Sequence, residues 1–466
     1  MTPDYCPADL YRRALDHALQ YLNSLPTRPV GPPLDVDALR TALSPALTDG
    51  PIDPMTALDE VVAAAAPGIV ASSGPRFYGF VTGGGYPAAV AADWMAAVWD
   101  QNPALYVSSP ALAIIESVAA SWLVELFGLP HGTSTGFVTG GHMANFTALA
   151  AARHEVLRRA GWDVEAFGLQ GAPTVNVVLG EQAHISVYAA LRLLGLGART
   201  VKLVPADEQG RMRSDALPQV LATCDGPTIV CAQAGNVNTG AFDPLGPIAA
   251  ACAAHGAWLH VDGAFGLWAA TSPAHRYLVD GLPLADSWST DGHKWLNVPY
   301  DSGLVFVKHA AAHRAAMSFA AAYLVRDDDE RNGMDWVPES SRRARALPVY
   351  LTLRTLGRNG VAELVERCCT LARRMAERLS THSTVRVLND VVLNQVLVAL
   401  ERPGADAVDV TARIIGAIQR DATCWVGGSN WYGRPVMRIS ISNWGTTEDD
   451  IDRSAQAILR ILDHEF

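Results

Sequence analysis

The sequence has few cysteines for its length, little clustered positive charge and no long apolar run. Its 466 residues include 7 Cys, two of them adjacent at 368 and 369, so a disulfide framework is excluded and we expect a reducing, cytoplasmic setting. The 36 Lys and Arg against 47 Asp and Glu give a formal net charge of −11, which argues against a nucleic-acid partner. The longest apolar run, residues 61–71, is too short to cross a bilayer, and the N-terminus does not resemble a secretory signal, so no membrane partner is expected.

Signatures of several common enzyme classes are also missing. The sequence contains no GxxxxGK[ST], GxSxG or HExxH motif and no CxxC pair, so P-loop, nucleophile-elbow and zinc-protease chemistry lack support. His309 and His313 have the i, i+4 spacing of two metal ligands on one helix face. Because no third ligand is near them in the sequence, we expect no metal site.

Apolar, β-branched segments alternate with Ala- and Leu-rich segments of helical spacing from about residue 76 onward. The expected strands are residues 174–180, 200–204, 228–232, 257–262 and 303–307. Strands that alternate with helices predict an α/β fold whose mostly parallel sheet is covered by helices on both faces.

The flanking segments predict two further parts. Helical spacing at 7–23 and 36–47, around a Pro- and Gly-rich stretch, predicts an N-terminal helical arm over residues 1–75. The large α/β domain would then occupy 76–345, and a smaller C-terminal α/β domain 346–466, with a helix at 346–380 and strands near 391–400 and 436–442. The polar stretch 323–345 is expected to form a long surface loop.

Three short motifs carry candidate chemistry. Gly140 and Gly141 open a helical run, which permits an anion such as phosphate to approach the free N–H groups, although a simple turn is the alternative. Asp262 ends an apolar strand, where open α/β sheets bind ligands, although it could also be a helix cap or turn residue. Lys294 is followed by Trp295 and Leu296, which favours a partly dry amine over a surface lysine.

Taken in this order on an α/β scaffold, the three motifs fit one cofactor. Pyridoxal phosphate requires a phosphate site, an anion for its ring nitrogen and a lysine that forms a Schiff base. At these residues the sequence resembles the group II pyridoxal-phosphate-dependent decarboxylases, the family of the aromatic L-amino acid and glutamate decarboxylases. The string Asp291-Gly-His-Lys-Trp-Leu-Asn-Val-Pro-Tyr-Asp is the most specific part of a resemblance that runs from about Arg76 to the C-terminus.

The resemblance implies the fold, the assembly and the roles of individual residues. It implies the pyridoxal-phosphate-dependent transferase-like fold, type I, of aspartate aminotransferase, and a homodimer with active sites at the subunit interface. The implied catalytic residues are Lys294, which forms the Schiff base, Asp262, which pairs with the ring nitrogen, and His184, which stacks on the ring. The implied cofactor contacts also include Gly140, Gly141, His142, Asn236, Asn238, Ala264 and His293. Without the resemblance, His184 would be an ordinary hydrogen-bonded histidine.

Four residues are candidates for binding substrate. Phe80 is expected to form a pocket wall, Thr82 to lie near the substrate carboxylate, and Trp336 to lie in the loop that closes the site. Arg438 resembles the arginine with which related transaminase-fold enzymes bind the α-carboxylate. The alternatives are ordinary core positions for the aromatic segment and a surface salt bridge for Arg438.

The expected function is decarboxylation of an L-amino acid to the amine and carbon dioxide, with an aromatic or apolar side chain favoured by Phe77–Phe80. In well-known relatives a tyrosine on a mobile loop protonates Cα, but the corresponding loop, expected at 324–341, contains no Tyr. Aldehyde synthesis by decarboxylation with oxidative deamination is therefore an alternative, or His184, water or the neighbouring subunit supplies the proton. Aminotransferase or carbon–carbon lyase activity, and a pyridoxal-phosphate-binding protein without turnover, are the remaining alternatives.

Overall fold

The computed structural model describes residues 6–31, 34–319, 330–401 and 407–465. Within these ranges the chain forms fourteen α-helices: α1 Pro7–Ser24, α2 Val36–Ala42, α3 Pro54–Ala65, α4 Pro87–Trp99, α5 Pro110–Leu126, α6 Gly141–Arg159, α7 Val164–Phe167, α8 Ile185–Leu193, α9 Leu217–Leu221, α10 Leu245–His255, α11 Ala310–Met317, α12 Ala346–Leu379, α13 Ala407–Asp421 and α14 Glu448–Glu465. The same ranges contain eleven strands: β1 Ser134–Val138, β2 Asn176–Gly180, β3 Lys202–Val204, β4 Thr228–Gln233, β5 Trp258–Asp262, β6 Ser287–Asp291, β7 Gly303–Val307, β8 Val385–Val387, β9 Gln395–Leu400, β10 Gly427–Trp431 and β11 Arg434–Ser440.

The first seven strands form one large sheet in the order β1-β7-β6-β5-β4-β2-β3. Strand β7 is antiparallel to both of its neighbours, and the other neighbouring pairs are parallel. The predicted α/β fold with a mostly parallel sheet is therefore confirmed, as are the five expected strands. The sequence did not indicate β1 or β6, and β6 reads Ser-Trp-Ser-Thr-Asp, a composition that is not typical of a buried strand.

Helices cover both faces of this sheet, because successive side chains of each strand enter different apolar clusters. Val177 and Leu179 of β2 pack in a cluster with α6 and α8, whereas Val178 packs in the cluster that includes α12. This alternation is what the two-residue repeat of a strand requires when both faces are buried.

The C-terminal strands form a second, antiparallel sheet in the order β10-β11-β9-β8. The long helix α12 links the two sheets and is interrupted at Gly357, which has φ 60° and ψ −177°. Before this break Tyr350 stacks on Trp122 of α5, and after it Arg374 pairs with Asp452 of α14 at 2.7 Å. The division into parts 1–75, 76–345 and 346–466 remains a prediction.

Two expectations from the sequence are wrong in detail. The helix expected over 36–47 ends at Ala42, and residues 43–53 are irregular. Pro45 explains the early end, since proline lacks an N–H donor and disfavours a helical conformation in the residue before it.

The expected surface loop 323–345 lies partly outside the described residues, and half of the residues in its described part, 330–345, are buried. Asn332 and Asp335 are 3% and 2% exposed. Arg331 and Arg342 both pair with the buried carboxylate of Glu116 in α5, at 2.9 and 2.7 Å. Polar composition was misleading here because the charged side chains neutralise one another inside the protein.

No α-helix in the described part of the chain has the length and apolar character needed to span a bilayer. All seven cysteines lie within the described ranges and are free thiols; Cys6 is exposed and the other six are buried.

Candidate active site

Asp262 and Lys294 lie at the carboxyl ends of neighbouring strands. Asp262 is the last residue of β5, and Lys294 follows the end of β6 by three residues. The Lys294 Nζ atom is 3.1 Å from Oδ2 of Asp291 and 5.9 Å from the centroid of the Phe265 ring. Only 19% of the lysine side chain is exposed, so its amine lies in the partly dry environment that the sequence predicts. This edge is where open α/β sheets bind ligands.

The carboxylate of Asp262 is buried and held by two donors. Its Oδ2 accepts a hydrogen bond from Asn145 Nδ2 at 3.1 Å, and its Oδ1 accepts one from the backbone N–H of Ala264 at 3.2 Å. Such donors are required because an unpartnered carboxylate in the interior is costly. Sequence reasoning missed Asn145 although it lies on the helix that Gly140 and Gly141 open.

His184 caps the N-terminus of α8, and its ring lies among the charged groups of the site. Its Nδ1 accepts a hydrogen bond from the backbone N–H of Ser186 at 3.3 Å, which places the proton of the neutral ring on Nε2. Burial lowers the pKa of His184 below its ordinary value; the charge of Asp262 opposes this shift, and those of Lys294 and Arg438 reinforce it. The structure therefore brings together four predicted site residues: His184, Asp262, Lys294 and Arg438.

The N-terminus of α6 forms a cradle of backbone N–H groups. Gly140 is the N-cap, and within the described residues no side chain caps this helix. A Cβ at Gly303 would lie 2.5 Å from Cα of Gly140, and a Cβ at Gly141 would lie 2.8 Å from Oδ2 of Asp291, so larger residues do not fit. The side chain of His142 is exposed, and its predicted phosphate contact would therefore come from the backbone.

Asn236, Asn238 and His293 lie around this site with their side chains engaged by the protein. Asn236 Oδ1 accepts hydrogen bonds from the N–H groups of Asn238 and Thr239, at 2.9 and 3.3 Å, and therefore holds its own loop. Asn238 Oδ1 accepts a hydrogen bond from Ser429 Oγ at 2.6 Å. His293 packs on Tyr300 with ring centroids 4.3 Å apart, and burial lowers the pKa of His293. Their cofactor contacts remain a prediction.

An exposed aromatic wall stands at one side of the site. Phe80 is 64% exposed and lies 5.3 Å, between ring centroids, from Trp425, which in turn stacks on Phe77 at 4.9 Å. Phe80 and Val81 have φ values of 54° and 59°, a left-handed conformation that costs free energy in residues with a Cβ and is often found at functional sites. Sequence reasoning missed Trp425, which is far from Phe80 along the chain.

The backbone of this aromatic segment contacts the turn that carries the lysine. A Cβ at Gly83 would lie 1.7 Å from the carbonyl oxygen of Lys294, and the N–H of Tyr86 donates to the carbonyl of Asn297 at 2.7 Å. Thr82, between the aromatic residues and Gly83, is buried, and its N–H donates to the Gly79 carbonyl. The substrate segment and the lysine turn are thus fixed to each other.

Arg438 lies on β11 opposite Gly427 of β10. A Cβ added at Gly427 would lie 3.5 Å from the Trp425 ring, so Arg438 is near this ring. Its Nη1 donates weakly to the carbonyl of Val237 at 3.4 Å, and burial lowers its pKa. No carboxylate in the described ranges forms an ion pair with Arg438. The alternative of a surface salt bridge is therefore wrong, and a half-buried cation without a counter-ion favours an anionic ligand.

Trp336 is the predicted site residue that the structure does not bring to the others. Its carbonyl oxygen accepts a hydrogen bond from His313 Nε2 at 2.9 Å, and the guanidinium of Arg331 lies 5.5 Å from its ring centroid. His313 Nδ1 lies 2.9 Å from Ser134 Oγ, so protein groups engage both nitrogens of this histidine. The pair His309 and His313 therefore has no shared metal-binding geometry.

These features fit pyridoxal phosphate. The uncapped start of α6 offers N–H groups to a phosphate, Lys294 offers an amine at the same edge of the sheet, and Asp262 offers a fixed anion for a ring nitrogen. The two-sheet α/β architecture and this donor set define an enzyme of the type I pyridoxal-phosphate fold.

Comparisons with known proteins agree with this assignment of fold and cofactor. The aromatic-L-amino-acid decarboxylase of Bacillus atrophaeus is 27% identical, over 94% of this chain and 92% of that protein. The L-2,4-diaminobutyrate decarboxylase of Rhizobium meliloti is 30% identical, over 79% and 74%. The crystal structure of Oryza sativa TDC with PLP and tryptamine superposes with a TM-score of 0.90 at 22% identity, covering 100% of this chain and 99% of that one.

The model of the pyridoxal-dependent decarboxylase conserved domain matches residues 39–401, and the chain belongs to this family. It is a pyridoxal-phosphate-dependent amino-acid carboxy-lyase.

Proposed function

We propose that this carboxy-lyase acts on an L-amino acid with an aromatic or large apolar side chain and releases the corresponding amine. The observation that carries the proposal is the wall of exposed Phe80 and half-buried Trp425 next to Arg438, an arginine without a counter-ion among the described residues. An aromatic ring packs well against such a wall, and the arginine suits the α-carboxylate. The name of the Bacillus atrophaeus relative supports an aromatic substrate, whereas that of the Rhizobium meliloti relative shows that substrates differ within the family.

The proposed roles follow from the positions of the side chains. Lys294 would hold the cofactor through its amine. Asp262 would keep the cofactor ring nitrogen protonated, His184 and Ala264 would contact the ring, and the backbone at Gly140, Gly141 and His142 would hold the phosphate. Asn236, Asn238 and His293 complete the surroundings of the cofactor. When bound, the cofactor supplies a conjugated ring that accepts the electron pair left on Cα as carbon dioxide departs.

The residues that bind the substrate would determine which of its bonds is broken. Arg438 would hold the carboxylate and the Phe80–Trp425 wall the side chain, while Thr82 lines the space between them. Two fixed points on either side of Cα limit how the substrate can rotate, which is how orientation selects one reaction over another.

Protonation of Cα distinguishes the two products considered. Residues 324–341 contain no Tyr, and 324–329 lie outside the described residues. His184, with its proton on Nε2, is our candidate donor for amine formation. The missing tyrosine is also the specific observation that keeps aldehyde synthesis as a second candidate function.

A homodimer is part of the proposal. Helix α4 exposes Trp94, Val98 and Trp99, and a cleft of about 800 Å³ between this helix and Tyr300 lies open beside Thr82. Large apolar side chains exposed together are typical of a subunit interface, and a second copy would cover them next to the site. The free cysteines agree with the cytoplasmic setting that the sequence predicts.

A product screen tests the function. The purified holoenzyme is incubated with each proteinogenic amino acid, and amine, aldehyde, carbon dioxide and peroxide are quantified. We expect amine and carbon dioxide in equal amounts from tryptophan, tyrosine or phenylalanine. Aldehyde with peroxide would establish the second candidate, and turnover confined to acidic or basic amino acids would refute the proposed substrate class. Light scattering at several concentrations tests the dimer.

A further inference from the structure

A polar patch lies inside the large sheet, directly behind Asp262. His260 and Asp262 occupy the same face of β5, and their register partners on β6 are Ser287 and Ser289. All four residues are at most 4% exposed. Buried strand faces are normally apolar in a sheet covered on both sides, so four polar residues in a two-by-two arrangement require an explanation.

Asn145 of α6 joins these residues to the site. Its Oδ1 accepts hydrogen bonds from Ser289 Oγ at 2.6 Å and from His260 Nε2 at 2.9 Å. Its Nδ2 donates to Asp262 Oδ2 at 3.1 Å and to Ser186 Oγ at 3.2 Å. The reverse amide orientation would direct an oxygen at the Asp262 carboxylate, so the charge of Asp262 fixes the direction of the amide.

The hydrogen bonds behind Asn145 then all have a defined direction. Because His260 donates from Nε2, its Nδ1 is an acceptor, and it lies 3.0 Å from Ser287 Oγ. Ser287 Oγ in turn accepts from Trp258 Nε1 at 2.9 Å. Burial lowers the pKa of His260 to about 4, so the ring is neutral and keeps this single proton at neutral pH.

On the other side of Asn145, the network reaches His184. Ser186 Oγ receives the second N–H of Asn145 and lies 2.8 Å from His184 Nδ1, to which it donates its own proton. One buried amide therefore contacts both the carboxylate and the hydroxyl that orients the imidazole.

We propose that Asn145 is a positioning residue that fixes the Asp262 carboxylate and, through the Ser186 hydroxyl, supports the Nε2–H tautomer of His184, with Ser289 and His260 holding its amide. This inference rests on the proposed role of Asp262 at the cofactor ring nitrogen. It predicts that loss of the Asn145 donors weakens the hold on Asp262 and therefore the protonation of that nitrogen. Loss of the same donors also frees the Ser186 hydroxyl, which leaves the backbone N–H of Ser186 as the remaining donor to His184 Nδ1 and weakens the preference for the Nε2–H tautomer.

The test uses holoenzyme reconstituted with cofactor labelled with ¹⁵N in the ring, titrated by NMR without substrate. Asn145→Ala and Asn145→Leu remove the two donors, and Asp262→Asn removes the carboxylate. We expect the ring nitrogen to lose its proton at least one pH unit lower in both Asn145 variants than in the unmodified enzyme, a tenfold loss in proton affinity. Ser289→Ala deletes one hydroxyl and should shift the titration in the same direction by about a third of a unit, which gives a milder variant if the others fold poorly.

Two further measurements distinguish a positioning role of Asn145 from a general loss of structure in the variants. Asn389→Ala is the matched control, because Asn389 is buried and its amide donates to the carbonyls of Thr239 and Gln395, away from Asp262; it should leave the titration unchanged. The ¹⁵N shifts of the His184 ring, measured with and without cofactor, should show Nε2–H in the unmodified protein and a larger fraction of the Nδ1–H tautomer in Asn145→Ala.

The outcomes distinguish this inference from the proposed function. If Asp262→Asn shifts the ring titration and the Asn145 and Ser289 variants do not, Asn145 is a structural residue. The inference is then refuted, and the proposed function is not affected. If Asp262→Asn itself leaves the titration unchanged, the role of Asp262 is wrong and both assignments fail.

Discussion

Replacement of Arg438 by methionine should reduce activity strongly without destabilising the folded protein. Arg438 is half-buried, and no carboxylate of the described chain pairs with it. A buried cation without a partner costs free energy, and apolar replacements of buried charges are often neutral or stabilising by about 1–4 kcal/mol. We therefore expect the free energy of unfolding of the cofactor-free protein to stay the same or rise.

The loss of activity can be approximated from the bonds the arginine could make. Hydrogen bonds to charged groups contribute about 1.5–3 kcal/mol each, and a bidentate arginine–carboxylate pair has two, so about 3–6 kcal/mol of substrate binding would be lost. At about 1.4 kcal/mol per tenfold change, kcat/KM should fall by roughly 10² to 10⁴.

The assay combines kcat/KM for the best substrate with urea unfolding of the cofactor-free protein. Arg434→Met is the matched control, since Arg434 lies four residues away on β11 and pairs with the partly exposed Glu401 at 3.0 Å. This control should change activity less than about threefold and stability by no more than about 1 kcal/mol. Unfolding of Arg438→Met at clearly lower urea, with kcat/KM near that of the unmodified enzyme, would show that Arg438 is structural.

Three further predictions follow from other parts of the molecule. Glu116→Gln should lower the free energy of unfolding by about 3–5 kcal/mol, because it leaves two buried arginines without their carboxylate, whereas Glu125→Gln on the same helix breaks an exposed pair and should cost less than about 1 kcal/mol in the same urea experiment. Burial raises the pKa of Glu116, but the two arginines together outweigh it and bring the pKa below its ordinary 4.5. This difference should therefore be complete above pH 4.5 and shrink as the pH falls below it; a difference that stays constant down to acid unfolding would contradict the pairing. Phe80→Ala should raise KM for an aromatic substrate about tenfold while leaving the unfolding midpoint nearly unchanged, because the ring is mostly exposed, and an equal change in KM for a small amino acid would argue against a side-chain wall. Borohydride reduction followed by peptide mapping should label Lys294 and neither of the other two lysines of the sequence, at 202 and 308; a label elsewhere would remove the basis of the proposed chemistry.

The sequence was sufficient for the parts of the fold that follow from local patterns. Continuous apolar strands such as β4, predicted over 228–232 and observed over Thr228–Gln233, could be predicted because both faces of the sheet are buried. Strand β6 was missed because Ser287, Ser289 and Asp291 resemble a loop, and they are polar because they belong to the site. Local and global preferences disagree at functional positions, which is where sequence reasoning is expected to fail.

In the candidate site, too, local sequence patterns identified some residues and could not identify others. Residues next to recognisable motifs, such as Lys294 and Asp262, were identified from the sequence. Trp425 was not, because its contact with Phe80 spans more than three hundred residues and leaves no periodic signal. The buried triad of Glu116 with two arginines was missed for a related reason: charged residues predict exposure unless their partners, distant along the chain, are known.

The main-chain contact between Gly83 and the carbonyl of Lys294 has a consequence for protein engineering. Since backbone atoms hold the two segments together, the side chains at 80 and 425 can be exchanged without moving the reactive amine. Libraries randomised at these two positions should therefore alter which amino acids are accepted while the chemical step is retained, and libraries at Gly83 should yield inactive protein.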